Sequence, residues 1–217
     1  MPKVDAPHTT PRKGRNAVRR VPTRLSPEAR RSQLLKTATE MLDSGGVDAL
    51  QMTDLAVAAG VTRPVVYRFF PNRQALIVAI LEDFEETLDR RFIEASGRLL
   101  GGTVADAAGL FVRAVCDTIE LKGAGAWRLL NSGGPDPEVA KVADAIYARM
   151  LAPWLPHIQA ATGASEREVA TVSRMLVAAG RAVLAAWLDG IATRDEAIGD
   201  AARGISALLT AFSRPTR

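Results

Sequence analysis

QMTDLAVAAGVTRPVVYRFFPNR, residues 51–73, holds two short segments of helical apolar spacing that meet at Gly60. The first, about Met52 to Ala59, sets Leu55, Ala56 and Ala59 on one face, and Gly60 supplies the conformation that ends it. The second starts after Thr62, which is placed to cap it, accepts Pro64 in its first turn and is closed by Pro71. Two short helices joined at a glycine are the sequence form of a helix-turn-helix, and the unit is read as binding DNA. Val66 and Phe70, four apart, fall on the buried side. On so short a helix Arg63, Val65, Tyr67 and Arg68 cannot all be buried, so several of them point outward.

Upstream, Ser26 is a good N-cap, Pro27 takes the first helical position and Glu28 faces the positive end of the helix dipole. This first helix is expected to reach Ser44, with Leu34, Leu35, Ala38, Met41 and Leu42 in the core, and to stop at Gly45-Gly46. Residues 1–25 carry seven bases against the single acid Asp5, a net charge of +6, whereas the remaining residues sum to −2. With four prolines and few large apolar side chains, that segment reads as a disordered basic arm. Arg19, Arg20 and Arg24, nearest the folded body, are its candidate contacts to phosphates or to a narrow minor groove. The plainer reading is a solubilising tail.

From about Arg31 to Leu81 the chain resembles the DNA-binding domain of TetR-family transcriptional regulators. The residues that carry the resemblance are Gly46, Asp54-Leu55-Ala56, Ala59-Gly60-Val61-Thr62, Tyr67, Phe70-Pro71-Asn72-Arg73 and Ala75-Leu76. It implies a three-helix DNA-binding domain followed by a long connecting helix and a C-terminal helical domain. It also implies that Thr62, Arg63, Pro64 and Val65 face the major groove. There, Arg63 has the geometry for guanine O6 and N7, and Val65 that for a thymine methyl. By the same resemblance, Tyr67 and Arg73 contact the phosphate backbone, which fixes register without reading sequence. Arg68 joins them as an outward cation. Gln51 stands where the family usually carries a Ser or Thr cap that touches phosphate, and Thr53 where a basic residue is common; both are counted among the DNA-facing residues.

Beyond Arg73, Leu76, Ala79, Ile80 and Phe84 continue an amphipathic helix to about Leu99, with Glu82, Asp83, Glu85 and Glu86 expected on its outer face. Gly101-Gly102, Gly123 and Gly125, the loop NSGGPDP at residues 131–137, and Pro153 with Pro156 divide the rest into further helices. Thr103 with Asp106 forms a capping-box-like pair, and Asp136 is placed to cap the helix that follows it. Phe111, Cys116, Trp127, Tyr147, Met150 and Trp154 are the candidate lining of a chamber for a small apolar effector, a mostly apolar wall with few polar anchors. Two capping boxes, Ser165 to Glu168 and Thr193 to Glu196, open the last two helices, both rich in alanine. The resemblance implies that this pair meets its copy across a two-fold axis, with Val172, Met175, Ala179, Val183, Trp187, Ile205 and Leu208 as interface candidates. Such a homodimer would address a palindromic operator in double-stranded DNA.

The expected class is therefore all-α: a basic arm at 1–25, a helix-turn-helix domain at 26–75, and a helical ligand-binding and dimerisation domain at 76–217. At 217 residues, 47% hydrophobic, the chain can bury a sizeable core. One cysteine, Cys116, excludes an intrachain disulfide and fits a reducing compartment, so a cytoplasmic protein is expected. No uncharged apolar run of about 18 residues points to a membrane; Val169 to Leu188 is interrupted by Arg174 and Arg181 and is read as buried by protein. His8, His157 and Cys116 are poor material for a metal centre or a Cys-His catalyst, so neither cofactor nor enzymatic activity is expected. An effector-released repressor is the favoured reading, and an architectural DNA-binding dimer without an effector is the alternative.

Overall fold

The computed structural model describes residues 25–96, 103–132 and 137–213, so Arg19, Arg20, Arg24, Gly101-Gly102 and the Asp136 cap lie outside the described residues. Every regular element among the described residues is helical: α1 (Pro27–Ala49), α2 (Met52–Ala58), α3 (Arg63–Phe69), α4 (Arg73–Ser96), α5 (Val104–Lys122), α6 (Gly125–Ser132), α7 (Pro137–Leu151), a 3₁₀ turn (Ala152–Trp154), α8 (Leu155–Thr162), α9 (Glu166–Leu188) and α10 (Arg194–Phe212). The fold is all-α.

Local chemistry accounts for most of the boundaries. The Ser26 hydroxyl accepts from the Ala29 N–H at 3.2 Å and starts α1. The expected stop at Ser44 is a kink instead: Gly46 alone leaves the helical region, at φ 68° and ψ −168°, and Val47–Ala49 complete one more short turn. The Glu168 carboxylate accepts from both the N–H and the hydroxyl of Ser165, at 2.8 and 2.6 Å, and Glu196 does the same for Thr193 at 2.8 Å each. Pro153 and Pro156 do not end helical structure; they sit in the first turns of the 3₁₀ turn and α8, where a missing N–H costs little.

Leu34, Leu55, Val66 and Leu76, all at 0% exposure, tie α1 to α4 together. Burial of each such side chain contributes roughly 1.5–3 kcal/mol. The same apolar cluster runs without a gap through Leu81, Phe84 and Leu88 of α4 into α5, α6 and α7, while a smaller one joins α8, α9 and α10. α5 lies between α4 and α10, and α6 packs against α1.

Two expectations are corrected here. The acids of α4 do not all face outward: Glu85 is buried, 8% exposed, and accepts from Arg149 Nε at 2.7 Å, while Asp83 accepts from Lys122 at 2.6 Å. These pairs hold the connecting helix to α7 and α5. Nor is α9 buried by its own chain. It is long and apolar enough by composition to cross a bilayer, yet only 22% of its most apolar window is buried. Its outer side, through Met175, Ala178, Ala182 and Ala185, is exposed.

Candidate DNA-binding surface and ligand cavity

α2 and α3 meet at Gly60, whose φ of 64° a side chain would strain, and Val61 packs in the angle between them. Val66 at 0% and Phe70 at 2% exposure pin α3 from beneath. Its opposite side is then obliged to face solvent: Thr62, Arg63, Pro64, Tyr67 and Arg68 are exposed and Val65 is half-buried. Thr62 sits at the cap position in extended backbone but its side chain makes no cap hydrogen bond, so the hydroxyl is left for another partner. Arg63 has no carboxylate within ion-pair distance among the described residues, and Arg68 lies over the Phe69 ring at 5.0 Å. Val57 of α2 is also exposed, 82% accessible; a lone apolar residue on a short helix has no periodic signature in sequence.

The remaining candidates are more engaged. Gln51 is exposed at the N-cap of α2 without capping it; its Nε2 donates to the Asp48 carbonyl at 3.0 Å. Thr53 donates to Asp54 Oδ1 at 3.2 Å. Arg73 is half-buried and turned back on the domain: Nε donates to Leu50 O at 2.8 Å and Nη2 to Val47 O. It bonds the Leu50 carbonyl and gives the Val47 carbonyl, which already accepts from the Leu50 N–H, a second donor, a structural task its sequence neighbourhood does not reveal. Asn72, just before it, caps α4 by accepting from the Ala75 N–H at 2.8 Å.

Behind this module lies a cavity of about 770 Å³, its open mouth included, between α5, α6, α7, α8, α9 and α10. Phe111, Trp127, Tyr147, Met150 and Trp154 are among the side chains that line it. Cys116 does not. It is fully buried away from the cavity wall, and burial pushes its thiol up to about 11 against the opposing influence of Arg194. The wall also includes Leu176, Gly180 and Leu184 of α9, together with Arg181, which in sequence only interrupts an apolar run. Phe92 of α4 touches the wall's aromatic side chains, with ring centres 5.6 Å from Phe111 and 5.3 Å from Trp154, so the connector and the cavity share a contact.

Among the proposed interface residues, Val172 and Ile205 are corrected: at 0% and 7% exposure both belong to the chain's own core, and Ile205 lines the cavity. Met175 is 43% exposed, while Ala179, Val183, Trp187 and Leu208 are half-buried, Val183 and Trp187 packed on the core. Among the described residues no group of three or more His, Cys, Asp or Glu side chains could hold a metal ion.

Comparison with known proteins bears on the same segment. Residues 34–80 match the family model described as "Bacterial regulatory proteins, tetR family". The HTH-type transcriptional regulator EthR of Mycolicibacterium smegmatis is 30% identical over 86 residues, 40% of this chain and 37% of the relative. The HTH-type transcriptional activator FasR of the same organism is 37% identical over 65 residues, 30% of each chain. These alignments therefore span 37% and 30% of the relatives' own lengths. Among solved structures, a tetR-family transcriptional regulator from Streptomyces coelicolor superposes with a TM-score of 0.69 at 24% identity, covering 86% of this chain and 83% of that one. A transcriptional regulator from Rhodococcus sp. Rha1 gives the same TM-score at 16% identity, over 86% and 99%.

Proposed function

From the premise that this chain belongs to the tetR family of bacterial regulatory proteins, which are DNA-binding transcriptional regulators, we propose that it is a cytoplasmic homodimeric repressor released from a palindromic operator by a small molecule. The observation that carries this reading is the exposed amino-terminal half of α3, held rigidly on Val66 and Phe70. In it, Thr62, Arg63, Pro64 and Val65 read bases in the major groove, and Gln51, Thr53, Tyr67 and Arg68 position the domain on phosphates. Residues 26–75 form the DNA-binding domain and residues 76–217 the effector and dimerisation domain, with the arm at 1–25 adding electrostatic affinity. An effector that displaces Phe111 or Trp154 acts on Phe92 and so on α4, which begins at the DNA-facing module.

Sequencing the DNA fragments recovered by the purified protein, with and without a metabolite extract, tests the proposal. One palindromic motif lost on addition of extract supports it. Many unrelated fragments bound equally, with steep salt dependence, would return the chain to the architectural class. Arg63→Ala is expected to cost roughly 1–3 kcal/mol at the cognate site while leaving binding to random DNA unchanged.

A further inference from the structure

Arg181 is the charged side chain on an otherwise apolar cavity wall. Elsewhere the half-buried Arg194 is paired with Asp117 and Glu120, and the exposed Arg149 with buried Glu85. Arg181 has no carboxylate within ion-pair distance among the described residues. Its partner is Tyr147, whose ring it covers at 4.3 Å and whose hydroxyl accepts from Nε at 3.2 Å. That hydroxyl donates in turn to Asn131 Oδ1 at 2.7 Å, and Asn131 Nδ2 donates to the Trp127 carbonyl at 2.6 Å. The chain of bonds fixes the guanidinium by its Nε edge. Its two terminal nitrogens are left for a further acceptor, the arrangement that suits a bidentate carboxylate.

Arg181 is half-buried on this wall without a counter-ion, and an anion bound there would gain a charge-assisted pair. Resting on the reading of this cavity as the effector site, we propose that its ligand is an amphipathic organic anion. The carboxylate sits on Arg181, and the apolar body lies across Phe111, Trp127, Met150 and Trp154. Tyr147 is a positioning residue: its single proton is committed to Asn131, so it orients Arg181 and donates nothing to the ligand.

Calorimetric titration of the full-length protein with decanoate, decan-1-ol and decylamine tests the assignment, with 2-naphthoate and 2-naphthol as an aromatic arm. The acid of at least one series is expected to bind about tenfold or more tightly than its alcohol, and the amine most weakly. The series with the larger preference identifies the body as alkyl or aromatic. Arg181→Gln should remove the preference by weakening the acid alone, and Arg181→Lys should retain part of it. Circular dichroism establishes folding, and should Arg181→Gln be unfolded, Tyr147→Phe is expected to reduce the acid preference without abolishing it. Equal affinity of acid and alcohol in both series, or binding by no member, overturns the proposal. Operator binding followed in parallel separates the two readings. Acid selectivity that depends on Arg181 but leaves DNA affinity unchanged keeps the anion site and removes its effector role. Release by the alcohols as readily as by the acids keeps the effector role and removes the anion site.

Discussion

Arg73 illustrates how one side chain carries two assignments that its sequence neighbourhood cannot separate. Its place after Phe70-Pro71-Asn72 suggested a phosphate contact, whereas its guanidinium lies on the Val47 and Leu50 carbonyls. Arg73→Ala should therefore lower the unfolding free energy by about 1–3 kcal/mol through the loss of charge-assisted bonds to half-buried carbonyls. Urea denaturation reads this directly; unchanged stability with weakened DNA binding would restore the phosphate role. The local pattern could identify Arg73 as a basic residue opening a helix, but the carbonyls it bonds stand more than twenty residues earlier. Arg181 was illegible for a related reason. In sequence it merely interrupts an apolar run, and only the packing of α7 against the cavity supplies Tyr147. By contrast, the buried faces at Val66 and Phe70 follow from spacing alone, which also requires that several of Arg63, Val65, Tyr67 and Arg68 point outward.

Element boundaries were legible wherever the signal was local, as at Ser26, Thr103, Ser165 and Thr193, since a cap is made within one turn. α6 is the instructive exception. Gly123 and Gly125 read as a break, but the reason for two glycines lies on another helix. The Asp43 carboxylate of α1 accepts from the Gly125 N–H. A methyl on Gly123 would fall 1.6 Å from that carboxylate, and one on Gly125 would fall 2.8 Å from it and from Leu42 Cγ. The glycines thus make room for a cap supplied from outside the helix. Gly125→Ala is expected to destabilise the fold by about 1–3 kcal/mol, as overpacking against backbone-anchored neighbours does. Asp43→Ala should cost about 1 kcal/mol, the usual loss of an N-cap acceptor. Thermal denaturation of both variants checks the pair, and a neutral Gly125→Ala would mean that Asp43 turns away freely.

At the scale of the molecule, the long helices and their order could be read from periodicity, but the outward face of α9 could not. Its alanines suit either side of a helix, so spacing alone does not say which of them meet the core. The packing assigns Val172 and Leu184 inward and leaves Met175, Ala178, Ala182 and Ala185 outward. If that stripe is the two-fold contact, Ala182→Glu should shift the protein from dimer to monomer in light scattering and abolish operator binding, leaving the helical circular dichroism of the chain intact. A persistent dimer would move the contact elsewhere, with α10 the next candidate. The uncovered stripe also bears on how stability is measured. If a second copy supplies its cover, the fold of each protomer is governed by mass action, and the melting temperature should rise with protein concentration. Without such a cover, a helix with the length and composition of a membrane span leaves most of its apolar window unburied. Supply of the second subunit would then set how much folded protein accumulates.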